Sequence, residues 1–325
     1  MTDPATDPAT DPEIGAGPPS GSKPWLQRAG DSDMLYSFRR SRLAQLSALI
    51  TLLFLLTALF APLLAPYDPY DLSQVSLMDS LTPPVWAEGG GGAFPLGTDD
   101  QGRDILSTVM YGARISIFVG LASVALAASL GVSLGLLAGY AGGAADAVIM
   151  RLADIQLTFP AILIALLIDG IAHALLGGPE DSFTSYAVLT LSIALASWVQ
   201  FARTVRGSTL VEKNKEYVQA ARIIGRHPLA IMIRHVLPNA MGPVLVIATV
   251  NLALAIILEA TLSFLGVGVP ITEPSLGTLI RVGNDFLFSG EWWIAFFPGL
   301  ALAVLALAVN LLGDWLRDAL NPKLR

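Results

Sequence analysis

Six long apolar stretches, separated by short polar ones, fill most of the chain beyond its first forty residues. They fall near 44–65, 115–140, 157–177, 185–202, 236–258 and 292–313. A helix crosses the hydrocarbon of a bilayer in about 20 residues, so each stretch is long enough to span. The fourth is the shortest, with Trp198 and Gln200 blurring its end. Strands are not expected, because an open-edged backbone in hydrocarbon leaves its N–H and C=O groups without partners. The pattern therefore predicts an all-α polytopic membrane protein with six transmembrane helices. Gly120, Gly131, Gly135 and Gly139 punctuate the second stretch, and small residues let helices approach closely in lipid.

The longest polar interruption after the first third of the chain runs from Glu216 to Pro238. Tyr217, Ala220, Ala221 and Ile224 recur there at helical spacing, while Glu216, Gln219, Arg222 and Arg226 lie away from them. Gly225 can end a helix by taking positive φ, and Pro228 forbids simple continuation. This predicts a short amphipathic helix, a sharp turn and a second short helix leading into the fifth span. Two readings follow: an ordinary helix lying in the headgroups, or a docking surface whose small residues Ala220 and Ala221 admit another protein.

Composition agrees with the spans. The chain is 54% hydrophobic and 14% charged, with mean hydropathy +0.62, which sets it apart from soluble domains. The net charge of −7 carries no message about nucleic acid; the placement of the cations does. With the six spans above, Arg103, Arg114 and Arg281 fall on one side, and the other 16 of the 19 Lys and Arg residues fall on the opposite side. By the positive-inside rule both termini and the Glu216–Pro238 stretch are expected in the cytoplasm. The chain has no Cys, and its three His residues, His173, His227 and His235, are expected at different depths, so no metal site is expected. None of its four Lys follows a Gly, so a P-loop is missing. No catalytic constellation is present.

Residues 1–22 are rich in Asp, Pro, Gly and Ser and are read as part of a disordered tail, without the basic n-region and apolar core of a signal peptide. Residues 25–42 suit an interfacial helix, with Trp25 and Phe38 toward lipid and Arg28, Arg39, Arg40 and Arg42 toward phosphates. The loop 66–113 is turn-rich. Its GTDDQGRD segment lacks the ligand spacing and closing Glu of a calcium loop. Trp292 and Trp293 read as an interfacial anchor, Pro298-Gly299 as a loosening of the sixth span, and Asp314–Arg317 as an i,i+3 pair at a solvated helix end.

Gln219-Ala220-Ala221, three residues, Gly225, nine residues and His235-Val236-Leu237-Pro238 resemble the EAA loop of ABC-importer permeases, E-A-A-x3-G-x9-I-x-L-P. Gln219 stands where that family has Glu and His235 where it has Ile. Three further stretches resemble the C-type subunit of the dipeptide/oligopeptide/nickel subgroup. The first is Leu96-Gly97-Thr98-Asp99, with Gly102-Arg103-Asp104 and Tyr111-Gly112-Ala113-Arg114. The others run from Glu259 to Gly268 and from Asn310 to Asp318, ending Asn321-Pro322-Lys323, where the subgroup more often has Asp-Pro-Arg. The resemblance covers residues from about 36 to 325.

What the resemblance implies is a type I ABC-importer permease fold with a division at 1–35 (cytoplasmic tail), 36–65 (amphipathic segment and first span), 66–110 (outer loop), 111–315 (permease core with a coupling loop at 203–235) and 316–325 (cytoplasmic end). It implies partners: a second homologous permease, two cytoplasmic ATPase subunits or a fused pair that bind ATP and magnesium, and an extracytoplasmic solute-binding protein. This chain itself is expected to hold no cofactor. Coupling to the ATPase would fall to Glu216, Gln219, Ala220, Ala221, Gly225, His235, Leu237 and Pro238. Asp169, His173, Glu259 and Phe264 are candidates for the translocation path. Asp169 lies in the third apolar stretch, one helical turn before His173, where an ionisable residue faces a bundle interior or a watery cavity. It either pairs with His173 or meets a passing peptide's amino group. Phe264 either packs a re-entrant turn or gates. The favoured substrate is a di- or oligopeptide, with nickel or another small solute as the alternative. A secondary transporter and a non-transporting membrane scaffold are the readings from other classes.

Overall fold

The computed structural model describes residues 33–71, 73–176, 182–269, 273 and 275–320. Trp25, Arg28, nearly all of the expected tail and the Asn321-Pro322-Lys323 stretch lie outside these residues. Among them the chain is helical, with one isolated antiparallel bridge between Thr98 and Asp104 and no strand. Helix α1 (Asp33–Arg40) begins just inside the boundary expected for the tail. It is followed by α2 (Arg42–Leu59), capped by Ser41, whose Oγ accepts from Ala44 N at 3.2 Å, and by the short α3 (Ala61–Leu64).

Helix α4 (Ile105–Ala141) starts on Asp104, whose carboxylate accepts from Ser107 N and Oγ at 2.9 and 2.6 Å. Its 37 residues reach about 55 Å at 1.5 Å per residue, more than the membrane core requires. Helix α7 (Ser182–Glu212) lies along it in a seam of glycines. A Cβ on Gly131 would meet Phe201 Cβ and Trp198 O at 2.5 Å, one on Gly135 would meet Ala202 O at 2.4 Å, and one on Gly139 would meet Thr209 Cβ at 2.7 Å. Numbers rise together along both helices, from Ser123 bonded to Thr190 O to Gly139 beside Thr209. The two helices are therefore parallel, and the chain must recross the membrane between them.

That return is broken. A single span was expected at 157–177, but the chain forms α5 (Gly143–Leu157) and α6 (Ala161–Leu176), bent by 100° at residues 158–160. Pro160 supplies no N–H and disfavours helix at Phe159. Helix α5 runs antiparallel to α7. Asp146 accepts from Arg206 at 2.5 and 2.7 Å, Asp154 pairs with Arg203, and Gln156 Nε2 donates to Leu195 O at 2.7 Å. Trp198 Nε1 donates to Gln156 Oε1 at 2.7 Å. Among the described residues five helices are each long and apolar enough to cross, and the bent pair counts as a sixth when taken as one span.

The remaining spans alternate around this pair. Helix α10 (Leu237–Phe264) is antiparallel to both, with Ile256 against Gly120 and Asn251 Nδ2 donating to Gln200 Oε1 at 3.0 Å. Helix α12 (Trp293–Leu320) returns along α10, placing Gly313 on Thr249. It runs unbroken through Pro298, and no ion pair joins its Asp314 to Arg317. Helix α2 packs on α4 and α12 through Ala58, Ile117, Leu305 and Val309, and is the least covered of the five single-helix spans. The rings of Phe38 and Trp315 meet edge-on at 5.1 Å, so α1, the end of α12, the 142 turn and the 213–227 segment share one end of the bundle.

At the other end the 66–104 loop folds on itself. Asp99 accepts from Gln101 N and Arg103 N at 2.9 Å each and from Arg103 Nε at 2.6 Å. These bonds engage both of its oxygens as hydrogen-bond acceptors. Trp293 is buried, with Nε1 donating to Thr98 O at 3.1 Å. It clamps this loop to α12 instead of anchoring in the headgroups, while Trp292 beside it is exposed. The amphipathic α11 (Leu276–Phe286) wedges between α4 and α10, with Gly112 under Leu276 and Gly277 under Ala260.

The glycine seam gives a direct test. Gly135→Val drives a branched side chain into the Ala202 backbone, which cannot rotate away, and should cost more than the roughly 1–3 kcal/mol of ordinary overpacking. Thermal unfolding in detergent should show a large loss of stability or no folded protein. Gly170→Ala, in α6 with open space around it, should leave the midpoint unchanged or slightly raised. Equal behaviour of the two variants would remove the seam.

Candidate functional site

Helix α8 (Glu216–Ile223) is laid across the end of the bundle between α7 and the run into α10. Val218 and Ala221 are buried in the cluster that also holds Ile231, Val236, Val205 and Leu136. Ala220 faces out. The expected face is Tyr217, Ala220, Ala221 and Ile224; the structure rotates it by one residue, burying Val218 and leaving Tyr217 partly exposed with its hydroxyl bonded to Glu212. The two small residues thus separate: Ala221 packs inward and Ala220 outward. Ile223 is 87% exposed and Ile224 78%, with Leu229 and Ile233 about half exposed beside them. Such clustering of large exposed apolar side chains marks an interaction surface or a membrane contact.

Polar contacts tie α8 down on its inner side. Tyr217 donates its hydroxyl to Glu212 at the end of α7, and Lys215 pairs with the same carboxylate at 2.6 Å. Burial, helped by the Glu212 hydrogen bond, pushes the Tyr217 phenol up to about 12, so it stays a donor at neutral pH. Asn239 Nδ2 donates to Tyr217 Oη at 3.1 Å and to His235 O at 2.7 Å, and the His235 ring lies 6.3 Å from that of Tyr217. The Arg222 guanidinium sits 5.0 Å from the ring centre of Tyr140 in α4, a cation–π contact. Gln219 donates to Asn214 O at 3.1 Å; Glu216 is exposed.

The turn after α8 is a Schellman motif. Arg226 N bonds Ala221 O at 3.1 Å, Gly225 N bonds Arg222 O at 2.9 Å, and Gly225 has φ +78°, the left-handed conformation that favours glycine at this position. His227 caps the short α9 (Pro228–Ile231), its Nδ1 accepting from Leu229 N at 3.3 Å, with Pro228 at the first helical position. Residues Met232–Val236 then form a π-turn before α10. Pro238 accounts for it: with no N–H and a ring that crowds the carbonyl four residues back, it disfavours a regular α-turn there. The sequence motif is therefore a set of backbone instructions, Gly225 to end one helix and Leu237-Pro238 to shape the start of another.

The four candidates for the translocation path do not come together. Asp169 is buried and pairs with His173, Oδ2 to Nδ1 at 3.0 Å. Glu259 is wholly buried on α10, where Ser263 Oγ donates to it at 2.8 Å. Phe264 is partly exposed at the end of α10. None of them lines the 1030 Å³ cavity between α2, α4 and the 66–104 loop. Its charged lining comes from Arg103, Arg114 and Glu273, with the Tyr70 and Tyr186 phenols among the other polar groups; the sequence marks Arg103 and Arg114 as outer-side cations and gives no sign of Tyr70, Tyr186 or Glu273. Glu273 accepts from Ser182 Oγ at 2.6 Å and from Tyr186; a lone Glu between prolines gives no sign of either partner.

Comparison with known proteins gives consistent results along the chain. Residues 131–325 match the family described as binding-protein-dependent transport system inner membrane component, and residues 32–84 match the N-terminal TM domain of oligopeptide transport permease C. The chain is 42% identical over 289 residues to a di/tripeptide transport system permease protein of Pseudomonas aeruginosa, covering 89% of this chain and 91% of the relative. It is 40% identical over 290 residues to a dipeptide transport system permease protein of Haemophilus influenzae, covering 89% and 94%. With an oligopeptide transport system permease protein of Bacillus subtilis it shares 37% over 296 residues, 90% of each chain. The inward-facing MetNI methionine ABC transporter superposes with a TM-score of 0.53 at 17% identity, over 67% of this chain and 98% of that one. The shared feature there is the fold.

Gly225→Ala meets no neighbour, so its whole effect is backbone strain of about 1–2 kcal/mol. Amide exchange in residues 216–226 should quicken by roughly tenfold while the spans stay protected. Unchanged exchange would mean that the left-handed turn is not what holds α8.

Proposed function

The chain belongs to the family of binding-protein-dependent transport system inner membrane components, and from that premise we propose that it carries di- or oligopeptides as one permease subunit of an ATP-driven importer. It is a multi-pass membrane protein and not an enzyme. The observation that carries the coupling part of this reading is the outward patch of α8 and its turn. Ala220, Ile223, Ile224 and Leu229 are exposed at the end of the bundle where most of the basic residues lie. A cytoplasmic ATPase subunit that binds ATP and magnesium docks there, Gln219 and Glu216 lying at the rim of the contact. A second permease completes the path, and a solute-binding protein delivers peptide at the opposite end, where the 66–104 loop is folded around Asp99 and Trp293. Peptide, named for each of the three relatives above, is favoured over nickel. Both termini are cytoplasmic, residues 111–315 form the permease core, and its coupling loop lies at 203–235.

The buried and exposed faces of α8 separate docking from folding. Ile223→Asp puts an unpaired charge into the docking surface, where an unsatisfied buried polar group costs about 1–3 kcal/mol. Transport and peptide-stimulated ATP hydrolysis by the purified importer should fall at least tenfold while the subunit inserts normally. Val218→Asp, facing the core, should instead destabilise the subunit itself. Full coupled hydrolysis in Ile223→Asp would remove the docking assignment.

Topology is tested separately. The chain has no Cys, so single thiols report cleanly. Ser73→Cys in the 66–104 loop should react with an impermeant reagent on intact cells, and Ser208→Cys near the end of α7 only after permeabilisation. The reverse pattern would overturn the orientation.

A further inference from the structure

The cavity between α2, α4 and the 66–104 loop has two unlike halves. Its rim carries Arg103, Arg114 and Glu273, and its wall is apolar, with Leu59, Phe118 and Leu121. Arg114 is exposed and has no ion-pair partner among the described residues. Arg103 is 4% exposed; its Nε is held by Asp99, but its Nη2 is buried without an acceptor. Such an orphan is uncommon, since buried donors are nearly always paired. Tyr70 lies between the two signs of charge. Burial first, then the carboxylate of Glu273, push its phenol up to about 12, while Arg103 works the other way. The rim therefore offers two cations with donor capacity to spare and one carboxylate.

Depth decides what fits. Arg114 lies nine residues into α4, roughly 13 Å from its first residue, where the long apolar run of that helix begins. Phe118 and Leu121 follow within the hydrocarbon. Leu59 and Phe118 are 68% and 65% exposed, and α2 is the least covered of the five single-helix spans, so the wall opens sideways toward the bilayer. An occupant needs an oxyanion and an ammonium at the interface and a long apolar part below. We propose that this cavity is a binding site for one phospholipid with an ammonium head group, from the leaflet on the side of the 66–104 loop. Its phosphate lies against Arg114 and Arg103, its ammonium faces Glu273, and an acyl chain runs along Leu59, Phe118 and Leu121. A peptide also has a carboxylate and an ammonium, but it has no use for an apolar wall open to lipid.

The test uses the intact importer in nanodiscs, with a phosphatidylethanolamine carrying a photoreactive group on its acyl chain. After irradiation, label should be found in the peptides containing Leu55–Leu59 and Ile115–Leu121. Arg114→Ala should lower this labelling about tenfold, as for loss of a charged hydrogen-bonding group, and leave labelling elsewhere unchanged. Leu55→Trp, which narrows the same cavity, should lower it without touching the charges and serves if Arg114→Ala does not assemble. Excess dipeptide should not compete. The proposal is overturned if a photoreactive diacylglycerol without phosphate labels equally well, if dipeptide displaces the lipid, if the partner permease takes the label in place of these peptides, or if neither variant lowers it.

Discussion

Parallel packing of α4 on α7 is the constraint from which most of the architecture follows. Two helices can lie parallel at backbone contact only if one surface is nearly without side chains, and Gly131, Gly135 and Gly139 provide it against Trp198, Ala202 and Thr209. In lipid, where helices gain nothing from hiding apolar surface from one another, such close packing is a principal source of association energy. Once the pair is parallel, the intervening chain must recross. It does so as two short helices, the first held to α7 by Asp146–Arg206 and Asp154–Arg203. The same geometry brings the ends of α4 and α7 to one level, where Tyr140 and Glu212 become the two mounts of α8.

In the role proposed for α8, coupling is a matter of attachment. Helix α8 has only eight residues, too few to hold a helix in water by itself. It is held by Val218 and Ala221 in the core, by Arg222 on Tyr140, by Tyr217 on Glu212 and by the Schellman turn at Gly225. Each of these joins it to a different spanning helix or to the run into α10. A push on its outward face at Ile223 and Ile224 is therefore delivered to α4, α7 and α10 together. The π-turn at Met232–Val236 is the one irregular step in this linkage, set by Pro238.

Much of this was legible in the sequence, and the failures have physical reasons. Apolar runs near 20 residues mark spans because bilayer thickness is fixed, and the glycines of the second span marked its seam. The broken return was missed because hydropathy records that a stretch is apolar and does not record its axis; Pro160 was the available signal. The inward face of α8 differs by one residue from the sequence reading, since Tyr217 and Val218 are both apolar enough to bury, and the Tyr217–Glu212 bond and the core around Val218 join residues that helical spacing does not relate. Trp293 reads as a headgroup anchor in the sequence because its acceptor, Thr98 O, is distant along the chain. The charged rim of the cavity joins residues from Tyr70 to Glu273, and periodicity cannot see such an assembly.

A rigid mount requires α8 to move as one body with the helices that hold it. A direct measurement is the distance between spin labels at Val211→Cys, near the end of α7, and Ala230→Cys, beyond the turn, in the intact importer with and without ATP. Both positions are exposed, and they bracket α8. The expected result is one narrow distance distribution that neither shifts nor broadens when nucleotide binds. A shift beyond its nucleotide-free width, or a second population appearing with ATP, would mean that α8 swings on its turns and does not transmit force as a rigid mount.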